Sequence, residues 1–185
     1  MAATAPLLHH SIVKIAGTSS LAFSDGWHYN FSRPHLLSQA QNVEQMAHLQ
    51  QVGEREMRRI TLNAWTASGD SLRQWGRLYE DGMGEKVYLA WIADASGLRY
   101  NIMKKRGVSL KSPQHNTDPE HGNFVEKAGG VEALVGAVFE DCGRNDEMTS
   151  EVMRRLGVYW PVSAAESQQL KKYLTKLRSM RIITG

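Results

Sequence analysis

Phe124, Ala128, Val131, Val135, Val138 and Cys142 recur at alternating steps of four and three, and that spacing predicts a helix over residues 124–143. Leu134 and Phe139 widen the apolar stripe, so the helix belongs in the core rather than on the surface. Gly143 stands where a left-handed C-terminal cap is expected. Glu132 breaks the pattern. It shares a face with Gly129 and Gly136, residues too small to shield it, and a carboxylate on a mostly apolar helix needs a metal, a cation or a donor as partner.

The rest of the chain also reads as helices. Met46, Leu49, Gly53, Met57, Ile60 and Ala64 form the buried stripe of a helix over residues 44–66. Pro34 suits the first turn of a shorter helix ahead of it. Residues 71–79 and 85–95 are amphipathic, and Gly97 follows the second as a cap. Residues 109–121 are polar, carry two prolines and read as a loop. A helix over residues 147–156 buries Met148, Val152, Met153 and Leu156. Ser163 and Glu166 form a capping box that opens a last helix, with Leu170, Tyr173, Leu174 and Leu177 on its apolar face. The expected fold class is all-α.

Composition narrows the picture. The chain has 185 residues, enough for one domain with a sizeable core. Its formal net charge of +3 permits contact with nucleic acid without demanding it. Cys142 is the only cysteine, which excludes an intrachain disulfide and a cysteine-based zinc site and fits a reducing compartment. No run approaches the ~20 apolar residues of a membrane span. Residues 1–26 hold no acid before Asp25 and suit either an organelle-targeting leader or an extended arm. The folded part is expected from Trp27 to residue 160, with a basic helix over residues 161–185. Two basic clusters are candidates for phosphate contact: Lys104, Lys105 and Arg106, and Lys171, Lys172, Lys176, Arg178 and Arg181.

The run Glu132-Ala133-Leu134-Val135-Gly136-Ala137, with Phe139 and Asp141 after it, resembles the second signature of the ribonuclease III family. That signature runs Asp, two residues, Glu-Ala-Leu-hydrophobic-Gly-Ala, then an aromatic and Asp-Gly. At the right distance before it, His48-Leu49-Gln50-Gln51-Val52-Gly53-Glu54 stands where the family reads Arg-Leu-Glu-Phe-Leu-Gly-Asp. Leu49 and Gly53 match, Val52 and Glu54 are conservative changes, and Gln50 and Gln51 depart. Residues 29–40 resemble the family's opening, an aromatic followed by a Pro-containing turn and Leu-Leu-x-x-Ala. The Thr-His-Arg-Ser-like run that follows in the family is not matched by Gln41-Asn42-Val43-Glu44. The resemblance spans residues 27–157 and implies a ribonuclease III-like helical domain.

Ribonuclease III cuts double-stranded RNA with Mg²⁺ held by two carboxylates from each signature helix, at spacings that place each pair on one helical face. Carried over, the first pair falls on Gln50 and Glu54 and the second on Gly129 and Glu132. Half of the metal-binding charge is missing, so the resemblance implies a decayed active site with no catalytic set, no metal and no cofactor. Gln51 replaces the aromatic that anchors the family's homodimer, and a glutamine makes a poor hot spot. The glycine face around Glu132 invites close approach of another segment. The segment after Pro161 is expected to hold the basic helix and not the double-stranded RNA-binding domain that many members carry.

Decayed domains of this kind resemble those built into the large subunit of mitochondrial ribosomes. The expectation is therefore a mitochondrial structural protein that binds rRNA and neighbouring ribosomal proteins, with a second ribonuclease III-like chain as a heterodimer partner and no membrane contact. Two alternatives stay open: an active minimal ribonuclease III using Mg²⁺, or an inactive partner subunit of an RNA-processing or editing nuclease.

Overall fold

The computed structural model describes residues 13–16, 19–96 and 121–179. They are predominantly helical, as the all-α expectation requires, and carry in addition a small antiparallel sheet at the start of the chain. Strands β1 (Val13–Ala16), β2 (Ser20–Phe23) and β3 (His28–Asn30) lie in that order. Leu21 pairs with Tyr29 across β2 and β3, and Val13 with Phe23 across β1 and β2. The β2–β3 turn uses Asp25, whose side chain accepts from the Trp27 amide at 3.0 Å, and Gly26, at φ +86°.

Strands β1 and β2 lie ahead of the expected domain start at Trp27. Leu21 and Phe23 alternate inward from β2 and are buried in the main core, so β2 is more than an arm. Each strand has at most four residues, too short for alternation to stand out against the surrounding Ser, Ala and Gly.

Helix α1 (Pro34–Ala40) starts on its proline and buries Leu36, Leu37 and Ala40. Helix α2 (Ala47–Ser68) ends on Gly69 in the left-handed region. Ser71 caps α3 (Leu72–Trp75) by accepting from the Gln74 amide, and the chain continues directly into a π-helical segment, Gly76–Met83. Helix α4 (Lys86–Ala95) follows; Gly97 and the expected loop at 109–121, apart from His121, lie outside the described residues.

Helix α5 (His121–Asp141) is the axis of the fold. Residues 127–139 are buried on every side, with α2 and α4 packed most extensively against it and α1 and α6 beside it. Helix α6 (Asp146–Leu156) is capped by Asn145, which accepts from the Met148 amide at 2.9 Å, and closed by Gly157 at φ +92°. Its buried face is Thr149, Val152, Met153 and Leu156. Met148, expected inside, is 37% exposed, because its position sits one step off the i, i+3, i+4, i+7 row that Thr149 begins.

Helix α7 (Ala164–Ser179) opens on the expected cap: Ser163 Oγ accepts from the Glu166 amide, and the Glu166 carboxylate turns back to the Val162 amide and to Arg154. Leu170 and Leu174 reach the main core, so the segment after Pro161 belongs to the same folded unit. An aromatic cluster joins the ends of several elements. Trp75 stacks on Tyr79 at 4.5 Å between ring centres and lies 5.4 Å from Trp65 and 5.7 Å from Trp160. The Trp160 indole N–H reaches Ser68 and Asp70, both at 3.1 Å.

Candidate functional site

Helices α2 and α5 cross at two glycines. A Cβ on Gly53 would fall inside contact distance of the Glu132 carbonyl, and one on Gly136 would do the same at the Leu49 carbonyl. Both backbones therefore meet at the crossing, which only glycine permits. The close approach that the small-residue face of α5 invites is made by α2 of the same chain. This part of the face is therefore occupied from within the chain.

The crossing brings the four positions of the resemblance together. Gln50 and Glu54 project from one face of α2, and Gly129 and Glu132 face them from α5. Gln50 Nε2 donates to Glu132 Oε2 at 3.0 Å. A Cβ on Gly129 would lie 3.1 Å from the Gln50 side-chain amide, so the first and third positions are direct neighbours. Glu132 itself is only 1% exposed.

The cation that such a carboxylate needs is Lys86. Its ammonium donates to Glu132 Oε1 and stands 3.7 Å from Glu54 Oε2, between the two surviving carboxylates. Burial pushes the Glu132 carboxyl above the ordinary carboxylate range; Lys86 and the Gln50 amide pull against that shift, and the Glu54 charge adds to it. Lys86 was not singled out from the sequence, although it carried a signal. It is the first residue of α4, and a lysine in the first helical turn opposes the macrodipole unless carboxylates stand near it.

This donor set does not suit Mg²⁺. A hard divalent ion takes oxygen ligands around an octahedron. Here Gly129 brings no donor, Gln50 turns its amide N–H toward Glu132, and an ammonium lies between the carboxylates. Among the described residues no group of three or more His, Cys, Asp or Glu side chains is arranged to hold a metal.

Asp141, in the tail of the resemblance, has a mechanical role. It accepts from the Ser32 and Arg33 amides at 3.0 and 2.7 Å, from Ser32 Oγ at 3.0 Å and from the Tyr29 hydroxyl at 2.9 Å. It thereby fastens the β3–α1 junction to the end of α5. Burial works to raise its pKa, but these donors outweigh it and hold the carboxyl below the ordinary range.

Lys171 and Lys172 are exposed on α7. Lys176 and Arg178 lie within α7, but their side chains are outside the described residues, as are Arg181, Lys104, Lys105 and Arg106 altogether. Gln51 is exposed on α2. Among the described residues no helix is long and apolar enough to cross a membrane.

Comparison with protein-family models, with curated proteins and with solved structures found no match.

Proposed function

We propose that this chain is a non-catalytic structural subunit of the mitochondrial large ribosomal subunit, a ribonuclease III-like helical domain that binds rRNA and neighbouring proteins. The observation that carries the reading is the Lys86 ammonium seated between Glu54 and Glu132. The resemblance puts metal-binding carboxylates at those positions, and a fixed cation there does the electrostatic work of holding the two helices together without offering an open coordination shell. The basic residues of α7 and of 104–106 supply RNA contacts, and the exposed Gln51 favours a dissimilar partner chain over a symmetric homodimer.

The chain should sediment with mitochondrial large ribosomal subunits. Incubated with a long RNA duplex in Mg²⁺ or Mn²⁺, it should leave the duplex intact. Cleavage by the native chain that disappears in Glu54→Ala would overturn this reading in favour of a minimal nuclease. Co-purification with an RNA-processing nuclease rather than with ribosomes would favour the inactive-partner alternative.

A further inference from the structure

Arginines in this fold pair with carboxylates almost throughout. Arg33 meets Asp141, Arg55 and Arg59 meet Glu56, Arg58 meets Glu80, Arg144 meets Glu140, Arg154 meets Glu166, and Arg155 meets Asp25 and Glu151. Arg73 and Arg77 do not: both are exposed, with no carboxylate partner among the described residues. They are also not scattered. They line one side of a groove of about 420 Å³ whose opposite wall is α7, and Lys171, likewise without a carboxylate partner, faces them there. Leu78 and Leu174 form the floor, and Ser71 and Thr175 add hydroxyls.

The groove continues past Gln74 and Lys171 into a second hollow of about 500 Å³ between Ser68 and Gln168. The acidic residue lining this path is Asp70, and its carboxylate already accepts from the Trp160 indole and from Ser68 Oγ. Three cations that line one groove with no carboxylate partner among the described residues repel one another, and an anion seated in the groove relieves that repulsion. Arginine presents a planar fork suited to phosphate oxygens. Arg73 and Arg77 stand four residues apart along the continuous run of α3 and the π-helical segment, and both side chains line the same groove.

We infer that the groove between the Arg73–Arg77 face and α7 is a phosphate-backbone site for RNA, in which Arg73, Arg77 and Lys171 contact neighbouring phosphates without reading sequence. The inference rests on the proposed RNA-bound role and locates it, adding two arginines from a segment outside both basic clusters. Phosphate contacts fix position and orientation while leaving sequence unread.

Fluorescence anisotropy of the full chain with a labelled RNA duplex, and with a single strand of equal length, tests it across a salt series. Each neutralised phosphate contact lowers the slope of log affinity against log salt by about 0.7–0.9. Arg73→Gln/Arg77→Gln should therefore flatten the slope by about 1.4–1.8, and adding Lys171→Gln should flatten it further. Arg144→Gln, which removes a paired arginine elsewhere, should leave it unchanged. All four side chains are exposed, and circular dichroism of each variant verifies the fold. If the native chain binds RNA and the Arg73/Arg77 variant keeps the native slope while Lys104→Gln/Lys105→Gln/Arg106→Gln loses it, the groove assignment fails and the RNA-bound role stands. If the native chain binds neither RNA but binds polyglutamate through Arg73 and Arg77, the groove takes acidic protein and both readings fail.

Discussion

A carboxylate as buried as Glu132 needs a counter-charge or donors to stay ionised, and Lys86 is the cation beside it. Lys86→Met keeps the aliphatic stem and removes the charge, leaving Glu132 with the Gln50 amide alone. Breaking a fully buried pair costs about 3–5 kcal/mol; the Lys86 side chain is more than a third exposed, so about 1–3 kcal/mol is expected from urea unfolding. Glu132→Gln added to Lys86→Met should recover most of that loss, since no buried charge then remains. A double variant as unstable as Lys86→Met alone would mean the lysine acts through packing.

The same carboxyl sets part of the acid limb. Its folded pKa is raised, so the native state binds the proton more readily, and this contribution to stability grows as pH falls through the folded value toward the ordinary carboxylate range. Asp141 and Glu56 have the opposite sign. Burial raises both, but their hydrogen-bond donors dominate and hold them low, so their stabilisation is present above the ordinary range and is lost as pH falls through their folded values. Glu132→Gln should delete the gain and keep the loss; urea midpoints over about pH 3–7 read both. That Glu132 needed a partner was legible in the apolar pattern around it. Which partner was not, because Lys86 is distant in sequence and only the packing of α4 on α5 brings it in.

At the scale of elements, the α2–α5 crossing is the most demanding contact. Gly53→Ala and Gly136→Ala each place a Cβ against backbone that cannot rotate away, and each should cost about 1–3 kcal/mol or more. Gly129→Ala is the contrasting case. Its Cβ meets the ends of the Gln50 and Met46 side chains at 3.1 Å, which can shift, while alanine gains up to about 1 kcal/mol in helix propensity. Thermal melts should place Gly129→Ala near the native chain and the other two well below it. Equal losses at all three would remove the backbone crossing as the cause. The helices themselves were legible because their stripes are long and regular. The register of α6 slipped because Met148 is apolar and Thr149, the buried residue, is not. The π-helical turn after Trp75 leaves no mark in the pattern, since Leu78, Tyr79 and Met83 also suit an α-helical face.

For the molecule as a whole, the core joins residues that the sequence assigned to three separate regions. Leu21 and Phe23 come from before the expected domain, and Leu170 and Leu174 from after it. Burying a large apolar side chain is worth about 1.5–3 kcal/mol, and domains are stable by only about 5–15 kcal/mol. A fragment of residues 27–160 should therefore lack a cooperative melt, whereas the full chain should show a single transition by circular dichroism. A fragment that melts like the full chain would reduce the sheet and α7 to appendages. That another segment comes close to α5 was legible in Gly129 and Gly136; that the segment is α2, meeting it at Gly53, was not. The outer segments were not, because short strands and a charged helix carry too few apolar positions to declare where they dock.

The aromatic cluster gives the chain an optical gauge of its own. Trp65, Trp75 and Tyr79 sit on α2, α3 and the π-helical segment, while Trp160 belongs to the connection that leads into α7. Rings this close share their excited states, so the near-ultraviolet dichroism and emission of the protein depend on whether that connection is docked. Trp27 and Trp91 keep other company, beside Phe23 and Tyr29 and beside Tyr88 and Tyr173. An RNA strand or protein that seats along α7 and loosens it would be registered as a spectral change, with no label attached.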